Sequence, residues 1–135
     1  MEAVVAPVHD RSELVSIIAT QARESNSGLI LLPDSFLTVH RVEVTSLAAR
    51  YRLPAVYPFR QFAELGGLLS YGVDRLENWQ RAAGYVDRIL KGEKPADLPV
   101  QAPSEYKLVL NLKTAKALGL DVPWILQQRA DEVIE

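Results

Sequence analysis

Leu53–Gly72, LPAVYPFRQFAELGGLLSYG, is the stretch on which the reading of this chain turns. Pro54–Tyr57 is a short apolar run and reads as a buried strand. The residues up to Gly66-Gly67 suffice for one short helix, and Leu68–Tyr71 reads as a second buried strand. In an open α/β sheet, ligands bind outside the carboxyl ends of the strands. Polar and aromatic groups stand at both exits: Phe59 and Arg60 after the first strand, and Ser70, Tyr71 and Gly72 at the end of the second.

Upstream, Ala3–Val8 is an apolar, β-branched run expected to be a strand. Asp10 then caps a helix, with Glu13 completing a capping box, and Leu14, Ile17, Ile18 and Ala22 follow at helical spacing until Asn26–Gly28 stops it. Leu29–Leu32 reads as another buried strand, ended by Pro33. The next helix is expected to run to about Tyr51 with Val44, Leu47, Ala48 and Tyr51 on its inner face. Four short apolar strands separated by helix-length segments specify an α/β fold, a parallel sheet covered on both faces in a three-layer αβα arrangement.

Downstream, Asp74 caps the longest helix, again with a Glu three residues on, and Leu76, Trp79, Ala83, Val86 and Leu90 form one apolar stripe of core type. Gly92 ends it. A connector punctuated by Pro95, Pro99 and Pro103 is extended and exposed. Tyr106–Leu110 reads as a fifth strand, Asn111 caps a short helix closed by Gly119, and a last amphipathic helix starts near Pro123 and carries its spacing through Leu126, Ala130, Val133 and Ile134.

The 135 residues make one ordinary domain, long enough to bury a core without staples. With no cysteine, disulfides and thiolate metal sites are excluded. Fifteen Lys plus Arg against 17 Asp plus Glu give a net charge of −2 with no basic block, which argues against a nucleic-acid partner. No apolar run approaches the roughly 20 residues a membrane helix needs. The start, MEAVVAPVHD, is acidic and breaks at Pro7, so it is not a secretory signal; an exported parent protein is expected to carry one upstream of Met1.

If the first four strands are parallel, one sheet edge collects His9 and Asp10, Asp34 and Ser35, Phe59 and Arg60, and Ser70, Tyr71 and Gly72. Carboxylates, hydroxyls, a guanidinium and two aromatic rings suit a small polar ligand with an apolar part. Arg60 is placed to clamp a carboxylate bidentately, Asp34 to take an ammonium or two hydroxyls, and Phe59 or Tyr71 to stack on a ring. Each has an ordinary reading too: Asp34 as a turn and cap residue, Arg60 as a solvated first-turn residue, Tyr71 as packing.

Catalytic patterns fail. Gly67–Gly72 has one residue too many before Ser70 for a nucleophile elbow, and both histidines precede that serine, where the hydrolase fold needs its histidine last. His9 and His40 lack metal-ligand spacing, and no Walker A or GxGxxG loop is present. No catalytic residue, metal or cofactor is therefore expected. A phospho-acceptor role for Asp34 is weak as well: only His9-Asp10 follows the first strand where an acidic pair is wanted, and the chain has no lysine before Lys91.

Four motifs in order resemble a known family: LPAVYPFRQFAELGGLLSYG, ILKGEKPADLPVQ at Ile89–Gln101, NLKTAKALGL at Asn111–Leu120 and ADEVIE at Ala130–Glu135, with LILLPDSF at Leu29–Phe36 fitting as well. They are similar to the C-terminal part of the ABC-transporter substrate-binding proteins of the tryptophan/tyrosine-transporter type, which have the periplasmic-binding-protein type I fold. The resemblance implies a two-lobed, non-enzymatic, exported or periplasmic protein that closes on a small ligand, often an aromatic amino acid, and delivers it to an ABC permease. It places Pro33-Asp34-Ser35, Tyr57–Arg60 and Ser70-Tyr71-Gly72 at the interlobe cleft.

The chain is about half the length such a protein needs, lacking nearly all of the first lobe. By the same resemblance the segment 74–110 packs on that lobe, so its apolar surface is expected to be covered by a second copy in a homodimer. Two other readings are a ligand-sensing or oligomerisation module of a regulator, and a small α/β enzyme using Asp34, Ser70 or Arg60.

Overall fold

The computed structural model describes residues 2–135. Its elements follow as α1 (Arg11–Gln21), β1 (Leu29–Ile30), α2 (Ser35–Val39), α3 (Arg41–Arg50), β2 (Ala55–Tyr57), α4 (Arg60–Glu64), β3 (Leu69–Val73), α5 (Arg75–Leu90), β4 (Tyr106–Asn111), α6 (Leu112–Leu118), α7 (Trp124–Arg129) and β5 (Glu132–Ile134). The five strands form one sheet in the order β1-β2-β3-β4-β5. The quoted stretch is β2-α4-β3, its two strands parallel with Val56 opposite Leu69. Helices flank a mostly parallel sheet, as the sequence pattern specified: β1, β2 and β3 run one way, and β4 turns antiparallel to β3 with β5 parallel to it.

The core lies on one face of β2. Leu14 and Ile18 of α1, Val44 and Ala48 of α3, Ala55 and Tyr57 of β2 and Phe62 of α4 are all buried in one cluster. Tyr57 and Phe62 stack with ring centroids 5.1 Å apart. The expected caps form because each is a local contact: the carboxylates of Asp10, Asp34 and Asp74 and the side-chain carbonyl of Asn111 accept first-turn backbone N–H groups. Glu13 reaches back to the N–H of His9, at 2.8 Å, one residue beyond the Asp10 N–H of a capping box.

Three expectations are corrected. Ala3–Val8 is not a strand, because the sheet ends at β1 and a β-prone run takes strand form only against a partner; Val5 is 90% exposed. The helix before Tyr51 is two helices, broken at His40, whose ring lies 4.2 Å from that of Phe36. The last helix stops at Arg129, and Val133 and Ile134 belong to β5 instead. Asp131 fixes that switch by exchanging two bonds with Leu108: its carboxylate accepts the Leu108 N–H at 2.8 Å, and its N–H donates to the Leu108 carbonyl at 2.9 Å.

Helices α3, α4, α5 and α6 close in the same way: a left-handed residue donates three residues back, and the next N–H donates five back. Gly66, Gly92 and Gly119 hold the left-handed position in α4, α5 and α6, whereas α3 uses Arg52 at φ 55°. A Cβ in that conformation costs roughly 1 kcal/mol, which glycine avoids.

The stripe on α5 is not core in this chain. The helix buries no residue, and Trp79 is 68% exposed beside exposed Leu76, Val86 and Leu90. At the other edge of the sheet, Leu29 and Leu31 donate to carbonyls flanking and within β2. The intervening Ile30 therefore turns its backbone groups outward, and its side chain is exposed.

Candidate functional site

Parallel β2 and β3 deliver their exits to one edge, and a cavity of about 230 Å³ opens there. Phe59 and Arg60 line it from the β2 exit, Ser70 and Gly72 from β3, and Asp74 and Arg75 from the start of α5. The alternation of the strand explains which β3 residues take part. Ser70 and Gly72 pair with Val109 and Lys107 of β4 on the cavity face, and both partners line the cavity as well. Tyr71 faces the other way, 56% exposed, and stacks on Tyr106 at 5.7 Å.

Gly72 has a steric reason to be glycine. A Cβ built there lies 1.9 Å from the Pro58 carbonyl oxygen, so the β2 exit runs directly against β3 at this point. That approach sets the positions of Phe59 and Arg60. The Arg75 guanidinium sits 5.2 Å from the centre of the Phe59 ring, a cation–π arrangement that orients the ring at the cavity wall.

The charges around the cavity are mixed. Arg60 makes a bidentate pair with Glu132, 2.8 Å from Nε and 2.9 Å from Nη2, and also contacts Glu64. The Glu132 hydrogen bond holds the guanidinium more firmly protonated than usual. Lys107 pairs with Asp131 at 3.4 Å. The Asp74 carboxylate caps α5 through Leu76 and Glu77. Cations and carboxylates on one wall can hold both ends of a zwitterion, with the Phe59 ring for its apolar part.

Four of the seven expected ligand-facing residues meet here: Phe59, Arg60, Ser70 and Gly72. Asp34 and Ser35 stand at the β1 exit outside this cavity, where Asp34 caps α2 by accepting the Leu37 N–H at 2.9 Å. His9 and Asp10 lose their place at the edge along with the expected first strand: His9 pairs with Glu13, and Asp10 caps α1. Sequence reasoning missed Arg75 and Lys107, and read Asp74 as a cap alone. The antiparallel return of β4 brings Lys107 in, a long-range pairing without local signature. Among the described residues no cluster of metal-ligating side chains exists, and no helix is long and apolar enough to cross a membrane.

Known proteins give an independent view of the same fold. A solved structure of a conserved domain protein from Vibrio cholerae O1 biovar El Tor superposes with a TM-score of 0.81 at 25% identity, covering 90% of this chain and 41% of its own. The ABC domain from Streptococcus pneumoniae, solved in complex with L-Trp, gives 0.81 at 27% identity, covering 91% and 41%. A ligand-free, open substrate-binding protein with adhesive properties from Clostridium difficile gives 0.61 at 19% identity over 91% and 41%, a likeness of fold alone. This chain thus spans about two-fifths of the length of each. No curated protein matches it. The family model described as ABC transporter substrate binding protein matches residues 1–134, and the chain belongs to that family.

Proposed function

We propose that this chain supplies one wall of the ligand cleft in the solute-binding component of an ABC import system, and that the ligand is a small amino-acid-like zwitterion with an apolar or aromatic side chain. The observation that carries this reading is the convergence of Phe59, Arg60, Ser70 and Gly72 on one cavity between parallel strand exits. The L-Trp held by the Streptococcus pneumoniae relative supports the ligand class. Arg60 and Arg75 take the carboxylate, Asp74 or Glu64 the ammonium, and Phe59 the side chain. Asp34 and Ser35 form the outer rim at the β1 exit. Nothing in this role requires bond making, so the protein is a binder and not an enzyme. Export and delivery to a permease belong to the whole transport protein.

At about 230 Å³ the cavity is smaller than an ordinary ligand site, as one wall alone should be. The affinity of this chain is therefore expected to be no tighter than on the order of 1 mM. The test is titration of L-tryptophan into ¹⁵N-labelled protein. Saturable shifts are expected at the amides of Phe59–Gln61 and Gly72–Arg75, lost in Arg75→Ala. No saturable shift at these amides, or shifts indifferent to Arg75→Ala, refutes the reading.

The apolar stripe of α5 is the surface on which the rest of a two-lobed binding protein packs, and in this chain a second copy covers it. Its 16 residues span about 24 Å, long enough to contribute much of the roughly 800 Å² per partner of a stable interface. Sedimentation at micromolar concentration is expected to show a dimer that Trp79→Ser weakens; a strict monomer refutes this second element.

A further inference from the structure

A larger cavity, about 450 Å³, lies at the opposite end of the strands. Leu53 and Leu68, which lead into β2 and β3, mark it as the amino edge of the sheet, away from the exits that form the cleft wall. Its walls are apolar, built from small and aliphatic residues of α3 and α6. Its polar lining is Tyr57, Thr45 and Thr114 with Arg52 and Lys113 as exposed residues, and no carboxylate lines it.

Arg52, Lys113 and Tyr57 keep uncommitted donors. Neither Arg52 nor Lys113 forms an ion pair, in a chain where eight such pairs occur among the described residues. Arg52 uses one N–H of its five-donor fork, Nη2 to the Ala117 carbonyl at 3.2 Å. Tyr57 is 1% exposed; burial alone pushes its phenol up to about 12, with no hydrogen-bonding group contributing. The Tyr57 hydroxyl makes no hydrogen bond within the protein, and its oxygen is not sealed from solvent, so it can donate to a group bound in the cavity.

Arg52 is also in the wrong place for backbone reasons. It fills the left-handed position that glycine fills in three other helix ends of this chain. The turn would be better served by glycine, so what the position gains from arginine is the guanidinium.

We propose that this cavity binds a small amphipathic carboxylate, its apolar body between α3 and α6 and its carboxylate on Arg52 and Lys113, with the Tyr57 hydroxyl as a further donor. The site is independent of the cleft wall and does not rest on the transport reading. It gives the lobe a second, distal ligand position.

Benzoate, benzyl alcohol and inorganic phosphate separate the parts of the claim. Titrated into ¹⁵N-labelled protein, benzoate is expected to move the amides of Ala49, Arg52, Gly66, Lys113 and Thr114, saturating on the order of 1 mM. Those of Phe59–Gln61 should stay still, which keeps this outcome separate from that of the cleft wall. Benzyl alcohol, lacking the charge, and phosphate, lacking the apolar body, should each bind at least about tenfold more weakly. Equal binding of benzyl alcohol overturns the charge assignment, equal binding of phosphate overturns the amphipathic class, and no saturable shift with benzoate overturns the site.

Arg52→Gly removes the guanidinium while keeping the turn. It should melt no lower than the parent yet bind benzoate about tenfold more weakly. Lys113→Gln, on an exposed helix face, gives the same readout without touching a turn. Unchanged benzoate binding in both variants refutes the proposal.

Discussion

Gly72→Ala and Gly84→Ala add the same methyl group and should have opposite effects. At Gly72 the new Cβ would stand 1.9 Å from the Pro58 carbonyl oxygen and 3.0 Å from its carbon. A carbon and a carbonyl oxygen approach no closer than about 3.3 Å without strain, so the two backbones must separate by roughly 1.4 Å. The obstacle is main chain and cannot rotate away. Overpacking of this kind costs roughly 1–3 kcal/mol, and a displacement that large also loosens a bond of the β2–β3 ladder at about 1 kcal/mol, so about 2–4 kcal/mol is expected. At Gly84, in the middle of α5, nothing lies within 4 Å of the added Cβ, and alanine should stabilise the helix by up to about 1 kcal/mol. Urea unfolding followed by circular dichroism reads both. The argument fails if Gly72→Ala unfolds within about 0.5 kcal/mol of the parent, since the close approach would then be absent in solution.

Asn111→Ala should cost about 2–4 kcal/mol in the same assay, because Asn111 both caps α6 through the Thr114 N–H and donates to the buried Ala63 carbonyl at 3.0 Å; Asn111→Ser, which keeps only the cap, should fall between. Acid should destabilise the fold. The carboxyls of Asp10, Glu43, Glu93 and Asp131 are held below their usual values, Asp10 by Ser12, Glu43 by Arg11, Glu93 by Arg88 and Asp131 by the Leu108 N–H. Depressed carboxyls contribute fully above about pH 4 and lose that contribution as the pH falls through their folded values, so melting temperature should be flat from pH 7 to 5 and drop below about 4; a rise there refutes the linkage. The Arg60–Glu132 pair is half exposed, and a double-mutant cycle to alanine should return no more than about 1 kcal/mol, falling with salt; a coupling above 2 kcal/mol would mean that the pair is shielded from solvent.

What the sequence made legible was local. Asp10, Asp34, Asp74 and Asn111 were readable as caps, because a cap is decided within three residues. The β2-α4-β3 unit was readable because apolar runs and the Gly66-Gly67 pair punctuate it. What failed depended on distant partners. Ala3–Val8 has strand composition without a neighbouring strand, and Val133 and Ile134 keep helical spacing yet pair with β4. The α5 stripe has the spacing of an interior face, yet the helix buries no residue in this chain. Phe59 and Arg60 line the cavity as their place at the β2 exit suggests, whereas Tyr71 faces away from it, because an exit motif does not say which side of the strand each residue takes. Arg52 and Lys113 carried no signal, since they meet only when α3 and α6 are brought together.

The outward edge of β1 bears on how this protein behaves in storage and expression. Ile30 presents an unpaired N–H and C=O beside an exposed aliphatic side chain, a ready seam for another molecule's backbone. Growth at such a seam starts from the native state and needs no unfolding. Loss of soluble protein should then follow concentration steeply and be little slowed by ligands or additives that merely raise the melting temperature. Only three residues past Ile30, Pro33 removes a donor and ends the seam, which keeps it short.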